Sequence, residues 1–257
     1  MVPVTIPLIK HDSIVIDFCA APGNKTLQIL EIMHEHAQSL GTLPTGVLLS
    51  NELDEKRSKM LVNFIKKQPT SNLIVTSCSA ENFPNETSIH PTLIFADVPC
   101  SGDGTLRKNK RLRKAWKPHI GYKDHARQVK ILENSVRVVE EGGYIVYSTC
   151  SLNPIENEAV VAHVLEKYKG VIELEDISNN IKLKYVEGLV RWKVCLEWKK
   201  AKQLKWVNSF TEVPKSHQNS QFITESMFHP MYCEQNFKNR NYIVDIFIIL
   251  FIFRKIH

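Results

Sequence analysis

The stretch that decides the fold is residues 14–25, which read Ile-Val-Ile-Asp-Phe-Cys-Ala-Ala-Pro-Gly-Asn-Lys. Residues 14–18 form an apolar run typical of a buried strand. Residues 26–36 then place apolar side chains at helical spacing, which predicts a helix. Gly23 lies in the turn between them. A glycine turn of this kind brings backbone N–H groups and a helix N-terminus close to a ligand, although an ordinary strand–helix turn has the same pattern.

The same alternation continues along the first two-thirds of the chain. Further strands are predicted at 47–49, 73–75, 93–96 and 144–147, and further helices at 54–67, 125–139 and 157–168. The side chains expected to point inward from the helix at 54–67 are Met60, Leu61, Phe64 and Ile65. Strands that alternate with helices predict an α/β, Rossmann-like fold with a mostly parallel sheet and helices on both faces. In such sheets, ligands bind at the carboxyl ends of the strands.

Composition bounds the class of protein. Of 257 residues, 43% are hydrophobic and 23% charged, which favours a globular protein. The formal charge of +6 permits a nucleic-acid partner without requiring one. The six cysteines form no C-x-x-C pair and no signal peptide is evident, so we expect reduced thiols in an intracellular protein without a metal. The apolar run at 243–253 is interrupted by Asp245 and is too short to span a membrane.

The first two strand ends indicate a nucleoside cofactor. The turn holds only Gly23, whereas a dinucleotide site needs G-x-G-x-x-G so that a pyrophosphate can approach the backbone. The sequence therefore disfavours NAD and allows a cofactor without a pyrophosphate. Glu52 follows the second strand, where a carboxylate can accept hydrogen bonds from two ribose hydroxyls. Asp54 fits the alternative role better, as a charge that complements the helix dipole.

Two later strand ends each carry a cysteine. Asp97 and Cys100 follow the strand at 93–96, and Cys150 follows the strand at 144–147. Lone cysteines are usually small buried hydrophobic residues, but a position in a polar loop fits that role less well. A reactive thiolate needs partial exposure and an electropositive setting. The basic run at 107–114 would supply such a setting or contact phosphates, unless it is simply a solvated loop.

These motifs resemble the Sun-domain family of RNA cytosine-5 methyltransferases, which use S-adenosylmethionine. The resemblance covers roughly residues 3–230, and the matching runs are 17–25, 97–109, 147–158 and 183–194. The last run is similar to the eukaryotic branch that modifies tRNA. The resemblance implies a class I methyltransferase sheet of seven strands with an RNA-binding region outside it. It also implies RNA, in particular tRNA, as the partner, a nuclear or cytoplasmic location, and a monomer.

The resemblance also implies a role for each site residue. Carbon 5 of cytosine is too electron-poor to attack a methyl group, and addition of a thiolate at carbon 6 makes it reactive. In the family that thiolate maps to Cys150, the carboxylate that holds the base maps to Asp97, and the thiol that assists release maps to Cys100. The residues implied for cofactor binding are Cys19, Ala20, Ala21, Pro22, Gly23, Asn24, Lys25, Glu52 and Asp97.

The chain departs from the family pattern at Ser79 and in its apolar tail. Ser79 stands where the family often has an Asp near adenine, a loss for which Glu81 would compensate. The apolar tail at 241–257 matches no family segment that we can place. Regularity is lost after residue 175, so we expect a catalytic core over 1–175 and an irregular C-terminal extension over 176–257. The sheet is expected to be incomplete at both ends, as in a truncated or mis-spliced chain.

Two alternatives to an RNA methyltransferase remain open from the sequence. In a DNA cytosine-5 methyltransferase, Cys100 would be the nucleophile instead of Cys150. In a non-catalytic RNA-binding fragment, both thiols would be packing residues; Ser79 favours this reading, and the retained Asp97, Cys100 and Cys150 oppose it. In either enzyme, a base within a stem would have to leave the stack to reach the pocket.

Overall fold

The computed structural model describes residues 8–66, 68, 70–85, 89–117, 119–176, 188–198, 203–218, 223–228, 243–245 and 248–256. Its strands are β1 (Ile14–Asp17), β2 (Val47–Asn51), β3 (Leu73–Thr76), β4 (Leu93–Asp97), β5 (Tyr144–Thr149), β6 (Ile172–Leu174), β7 (Val194–Trp198), β8 (Gln203–Val207), β9 (Ile243–Asp245) and β10 (Ile248–Lys255). Its helices are α1 (Asn24–Ser39), α2 (Glu55–Ile65), α3 (Lys110–Ala115), α4 (Tyr122–Val138), α5 (Glu158–Lys167) and α6 (Lys215–Gln218).

The main sheet has the strand order β3-β2-β1-β4-β5-β10-β6, with β9 paired to β10. Strands β1 to β5 are parallel, and Ile16 of the central strand pairs with Leu49 on one side and Ile94 on the other. The strand order reverses between β1 and β4, so the connections that leave these two strands run in opposite directions and leave a crevice. The predicted Rossmann-like, mostly parallel sheet is confirmed, and the predicted helices agree with the observed ones within three residues at each end.

Helices cover both faces of the sheet because β1 alternates its side chains. Val15 packs in a cluster with α1 and α2, whereas Ile16 packs in a second cluster with α4 and α5. One detail of the prediction is wrong. Met60 and Phe64 of α2 are 57% and 43% exposed, while Leu61 and Ile65 are buried. This helix buries only a narrow stripe, and the sequence pattern overestimated the width of that stripe.

The apolar tail forms a strand of the main sheet. β10 inserts between β5 and β6 and is antiparallel to both, with Phe251 opposite Tyr147 and Phe253 opposite Leu174. Its residues 250–253 are all buried, which explains why the segment is apolar without alternation. The sequence did not reveal this strand because its partner β5 lies about 100 residues earlier in the chain. Residues 241, 242, 246, 247 and 257 of the tail lie outside the described residues.

The predicted C-terminal extension also contributes a hairpin. β7 and β8 pair antiparallel, and Val194 and Val207 pack in the same cluster as α4 and α5. Tyr122 at the start of α4 fixes the hairpin, because its hydroxyl accepts from Cys195 N–H at 2.7 Å and donates to Cys195 O at 3.0 Å. This part of the chain is thus more regular than the sequence indicated, although the boundary at residue 175 stays a prediction. Residues 183–187 of the family-like run lie outside the described residues.

Candidate active site

The ends of β1, β2, β4 and β5 surround a cavity of about 710 Å³. Its lining residues are Phe18, Cys19, Ala21, Glu52, Leu53, Asp54, Glu55, Arg57, Ala80, Asp97, Val98, Pro99, Cys100, Arg127, Ile131 and Cys150. Six residues predicted from the sequence are among them: Cys19, Ala21, Glu52, Asp97, Cys100 and Cys150. Among the described residues, five others predicted to bind the cofactor are absent from the lining: Ala20, Pro22, Gly23, Asn24 and Lys25.

The turn after β1 requires its glycine. Gly23 has φ +115°, a left-handed conformation that other residues rarely adopt, and it precedes the first residue of α1. A Cβ on Gly23 would also lie 2.9 Å from Phe64 and 3.0 Å from Leu61. Gly23 therefore allows α2 to pack against the turn, and α1 to begin directly after it.

Glu52 holds this turn to the end of β2. Its side chain is buried, and its carboxylate accepts from the N–H of Ala21 at 3.3 Å and of Asp54 at 3.1 Å. The Arg57 guanidinium lies 3.5 Å from the same carboxylate and donates to the Ala21 carbonyl at 2.8 Å. Asp54 instead caps α2, since it accepts from the Arg57 N–H at 2.8 Å. Both acidic residues line the cavity, and Asp54 has the role at the helix N-terminus that the sequence favoured, while the ribose contact of Glu52 stays a prediction.

The loop after β3 contributes less than the sequence indicated. Within the described part of the chain, Ala80 lines the cavity and its neighbours Ser79 and Glu81 do not. The Glu81 carboxylate lies 3.1 Å from Arg127 Nε, and Arg127 is itself a lining residue. Glu81 therefore contacts a cavity-lining side chain, Arg127, without lining the cavity itself. Sequence reasoning missed Arg127, because a single arginine on α4 gives no signal without the tertiary packing.

Asp97 is fixed at the end of β4 by two partners. One carboxylate oxygen forms an ion pair with the Lys25 ammonium, and the other accepts from Ser148 Oγ at 2.8 Å. Lys25 is therefore directed onto Asp97, and its predicted role in cofactor binding stays a prediction. Behind this pair lies the fully buried Asp17, whose pKa burial raises to about 6. Among the described residues, Asp17 Oδ1 has no hydrogen-bond partner.

The two cysteines that follow β4 and β5 meet at the wall of the cavity. Cys100 Sγ lies 3.3 Å from Cys150 Sγ, and both residues are partly exposed. Either sulfur atom can donate in this bond; the bond lowers the pKa of Cys150, and together with burial it raises the pKa of Cys100. Because the thiolate is the reactive form of cysteine, this arrangement favours Cys150 as the nucleophile. Cys195, by contrast, is buried in the β7–β8 hairpin, as expected of a packing residue.

The basic run lies beside the cysteines. It forms the short helix α3, which Asn109 caps by accepting from Leu112 N–H at 3.1 Å. A Cβ on Gly102 would contact both Leu112 of this helix and Cys150 Sγ, at 3.8 Å each. Helix α3 therefore lies next to the part of the cavity that holds the thiols, although none of its described basic residues lines that cavity. Trp116, just after the helix, is exposed and adds an aromatic surface.

Two further features are absent from the described ranges. No group of three or more His, Cys, Asp or Glu side chains there is arranged to bind a metal ion. Nor does any helix in those ranges have the length and apolar character that a membrane crossing needs.

A family model and two curated proteins are similar to this chain. The model described as 16S rRNA methyltransferase RsmB/F matches residues 5–224. A tRNA (cytosine(34)-C(5))-methyltransferase from Drosophila melanogaster is 38% identical over 84% of this chain and 30% of its own length. A multisite-specific tRNA:(cytosine-C(5))-methyltransferase from Saccharomyces cerevisiae is 39% identical over 77% of this chain and 29% of its own length. The chain therefore spans about a third of the length of these relatives.

Solved structures share the fold. The structure of NSun6 from Pyrococcus horikoshii with SFG superposes on 99% of this chain and 51% of its own, with a TM-score of 0.63 and 18% identity. At this level of identity the likeness supports the architecture of the sheet, and the chemistry of the site depends on the residues themselves.

Proposed function

The chain belongs to the 16S rRNA methyltransferase RsmB/F family, and from that membership we propose that it transfers a methyl group from S-adenosylmethionine to carbon 5 of cytosine in RNA. The observation that carries the proposal is the pair of thiols, 3.3 Å apart, on the wall of the cavity that also contains Glu52 and Asp97. Similarity to two tRNA cytosine-5 methyltransferases supports tRNA as the substrate. That similarity also supports RNA over DNA.

The cavity fits S-adenosylmethionine. Its volume of about 710 Å³ lies in the range that small-molecule sites occupy, roughly 300–1,000 Å³. Glu52 presents a buried carboxylate for the ribose hydroxyls, and Cys19 and Ala21 line the same cavity near it. The turn with its single glycine lacks the cradle that a pyrophosphate needs. NSun6 was solved with SFG, an analogue of S-adenosylmethionine, which supports the same assignment here.

Cys150, Asp97 and Cys100 each have a separate role in the reaction on the cytosine base. When bound, S-adenosylmethionine supplies the electrophilic methyl group. The Cys150 thiolate forms a bond to carbon 6 of cytosine, and the electron pair of the 5,6 double bond becomes available at carbon 5. Asp97, with Lys25 beside it, holds the ring nitrogen and exocyclic amine and stabilises the protonated adduct. Cys100, once its own proton has passed to solvent, accepts the proton from carbon 5 as a thiolate, the bond between carbon 6 and sulfur breaks, and Cys150 leaves as a thiolate.

Helix α3 is proposed to contact the phosphates of the RNA. The helix lies next to the thiols and carries lysines and arginines, so it can hold the phosphate backbone where a base leaves the stack and enters the cavity. A nuclear location and a monomeric state stay predictions from the family resemblance.

The test is direct methylation by the purified 257-residue chain. Unmodified tRNA, or DNA of the same sequence, is incubated with the chain and S-adenosylmethionine, and bisulfite sequencing then identifies protected cytosines. Protection of specific cytosines in RNA supports the proposal, and protection in DNA alone would favour the DNA enzyme. Calorimetry with S-adenosylmethionine covers the remaining alternative, because a chain that binds RNA but neither binds the cofactor nor methylates would be a non-catalytic RNA-binding fragment.

A further inference from the structure

A fully buried carboxylate lies behind the two cysteines and joins the loops that carry them. Glu156 Oε1 accepts from Ser101 N–H at 2.7 Å and from Gln128 Nε2 at 3.1 Å. Its other oxygen, Oε2, lies 2.5 Å from Ser101 Oγ and 2.6 Å from Ser151 Oγ. Hydrogen bonds to an ionised acceptor are about twice as strong as neutral ones, so this carboxylate is a strong link.

The residues that Glu156 binds are the direct neighbours of the thiols. Ser101 follows Cys100 after β4, and Ser151 follows Cys150 after β5. The two serine hydroxyls also lie 3.3 Å apart, and Gly104 N–H donates to the Cys150 carbonyl at 3.0 Å, but within the described chain only the Glu156 side chain accepts from both serines. Asp103 adds a second link by accepting from Ser151 Oγ at 2.9 Å.

The surrounding structure makes room for this carboxylate. A Cβ on Gly121, before the first residue of α4, would overlap the Glu156 side chain, so glycine is required there by close approach. Gln128 of the same helix donates both to Glu156 and to the Pro99 carbonyl at 2.9 Å. The carboxylate is therefore held by α4 as well as by the two loops. The close approach of Gly121 leaves the Glu156 side chain no room to move.

We infer that Glu156 is the positioning residue that fixes the distance between Cys100 and Cys150, an inference that rests on the proposed function for its catalytic meaning. Without the carboxylate, the loops after β4 and β5 lose their shared acceptor, and the thiols move apart. Attack by Cys150 and proton transfer to Cys100 need both sulfur atoms at one base, so a misplacement of about 1 Å would cost roughly 100-fold in rate.

The test measures the rate at which the two thiols form a disulfide, which depends on the distance between them. It needs neither RNA nor cofactor. Diamide takes two electrons and two protons from Cys100 and Cys150, which become a disulfide as diamide becomes the hydrazine. The rate is followed by mass spectrometry of the linked peptides in the 257-residue chain. We expect Glu156→Ala to slow closure at least about tenfold, with partial rescue in Glu156→Gln, whose amide oxygen still accepts from Ser101 N–H.

Glu158 provides a matched control two residues away. It is also a buried carboxylate, but it accepts from Leu189 N–H at 3.2 Å and is not bonded to either cysteine loop. Glu158→Ala should therefore close the disulfide at the wild-type rate. In methyl transfer, Glu156→Gln should lower kcat and leave the KM for S-adenosylmethionine unchanged.

The outcomes separate the inference from the proposed function. Closure at the wild-type rate in folded Glu156→Ala, or no closure in the wild type, would overturn the inference even in an active enzyme. If Glu156→Ala does not fold, the double variant Ser101→Ala with Ser151→Ala removes both hydroxyl contacts to Glu156. Slower disulfide closure in this variant would support the inference, and closure at the wild-type rate would overturn it. A chain that closes the disulfide as expected but methylates no RNA would contradict the proposed function and leave the positioning role of Glu156 intact.

Discussion

The cofactor-side loops (residues 18–23 and 52–54) and the cysteine loops (residues 98–105 and 150–157) lie at the same edge of one sheet but are built differently. Backbone geometry fixes the first pair, through the left-handed Gly23 and one carboxylate, Glu52, that accepts from main-chain N–H groups. Side chains fix the second pair, in a buried network centred on Glu156.

The difference follows from what each pair must do. A binding surface needs a shape, which the backbone alone can supply. Two reacting thiols need a distance, and a loop fixes a distance only when buried polar side chains lock it. The supporting strands differ as well, since β5 under the cysteine loops is held by the antiparallel β10, whereas β1 and β2 are held by parallel neighbours. Changes in the two regions should therefore have separate effects on methyl transfer and on cofactor binding.

Among the variants that keep the nucleophile Cys150, the largest effect is expected from Cys100→Ala. Loss of the thiol that accepts the carbon 5 proton should lower turnover by roughly 10²–10⁴-fold, the usual contribution of general acid–base catalysis. The variant should still attack the base, so a covalent protein–RNA species should accumulate on a denaturing gel. Cys195→Ala, a change to a thiol buried in the β7–β8 hairpin, is the control. Normal turnover by Cys100→Ala without any adduct would count against the role of Cys100.

Phe251→Ala tests the support that β10 gives to the cysteine loops. The ring is buried and contacts Tyr147 of β5, with ring centroids 6.3 Å apart, and Tyr147 Oη donates to the Glu156 carbonyl. Truncation of a buried aromatic ring should lower the free energy of unfolding by about 3–5 kcal/mol. Denaturant unfolding measures this loss. An unchanged midpoint would show that β10 is not packed on β5.

Asp17 predicts a pH dependence of stability. Its pKa is raised in the folded protein to about 6, from 3.8, so the folded state binds the proton more tightly than the unfolded state. This contribution to stability is complete below pH 3.8 and is lost as the pH rises through 6, by about 3 kcal/mol in total. In Asp17→Asn that loss is absent. The gain of the variant over the wild type in urea unfolding should therefore grow between pH 4 and pH 7, and a constant difference would contradict the assignment.

The smallest expected effect is that of Glu52→Gln, on the cofactor side. Loss of a charged acceptor for the ribose hydroxyls should weaken S-adenosylmethionine binding by about 1.5–3 kcal/mol, or roughly 10- to 100-fold. Calorimetry measures the change directly. Diamide closure of the two thiols should be unaffected, because Glu52 does not contact the cysteine loops in the described structure. A parallel loss of closure would mean that the two regions are not independent.

The same contrast explains what could be predicted from the sequence. The parallel strands and their helices follow from local periodicity, and Glu52, Asp97, Cys100 and Cys150 come together because each follows a strand. β10 could not be predicted, because an apolar run does not specify a distant partner strand. Glu156 and Arg127 act only through tertiary contacts, so no local pattern marks them. The one available signal for Glu156 was its place in the family-like run at 147–158.

Methyl transfer by Cys150→Ala tests the central claim most directly. The variant and the wild type are incubated with tRNA and S-adenosylmethionine carrying a labelled methyl group, and calorimetry confirms that both still bind the cofactor. Our account predicts that the variant incorporates no label and forms no covalent adduct, because no thiolate remains to add to carbon 6. Undiminished incorporation by Cys150→Ala, with loss of incorporation in Cys100→Ala and no adduct, would contradict it and make Cys100 the nucleophile.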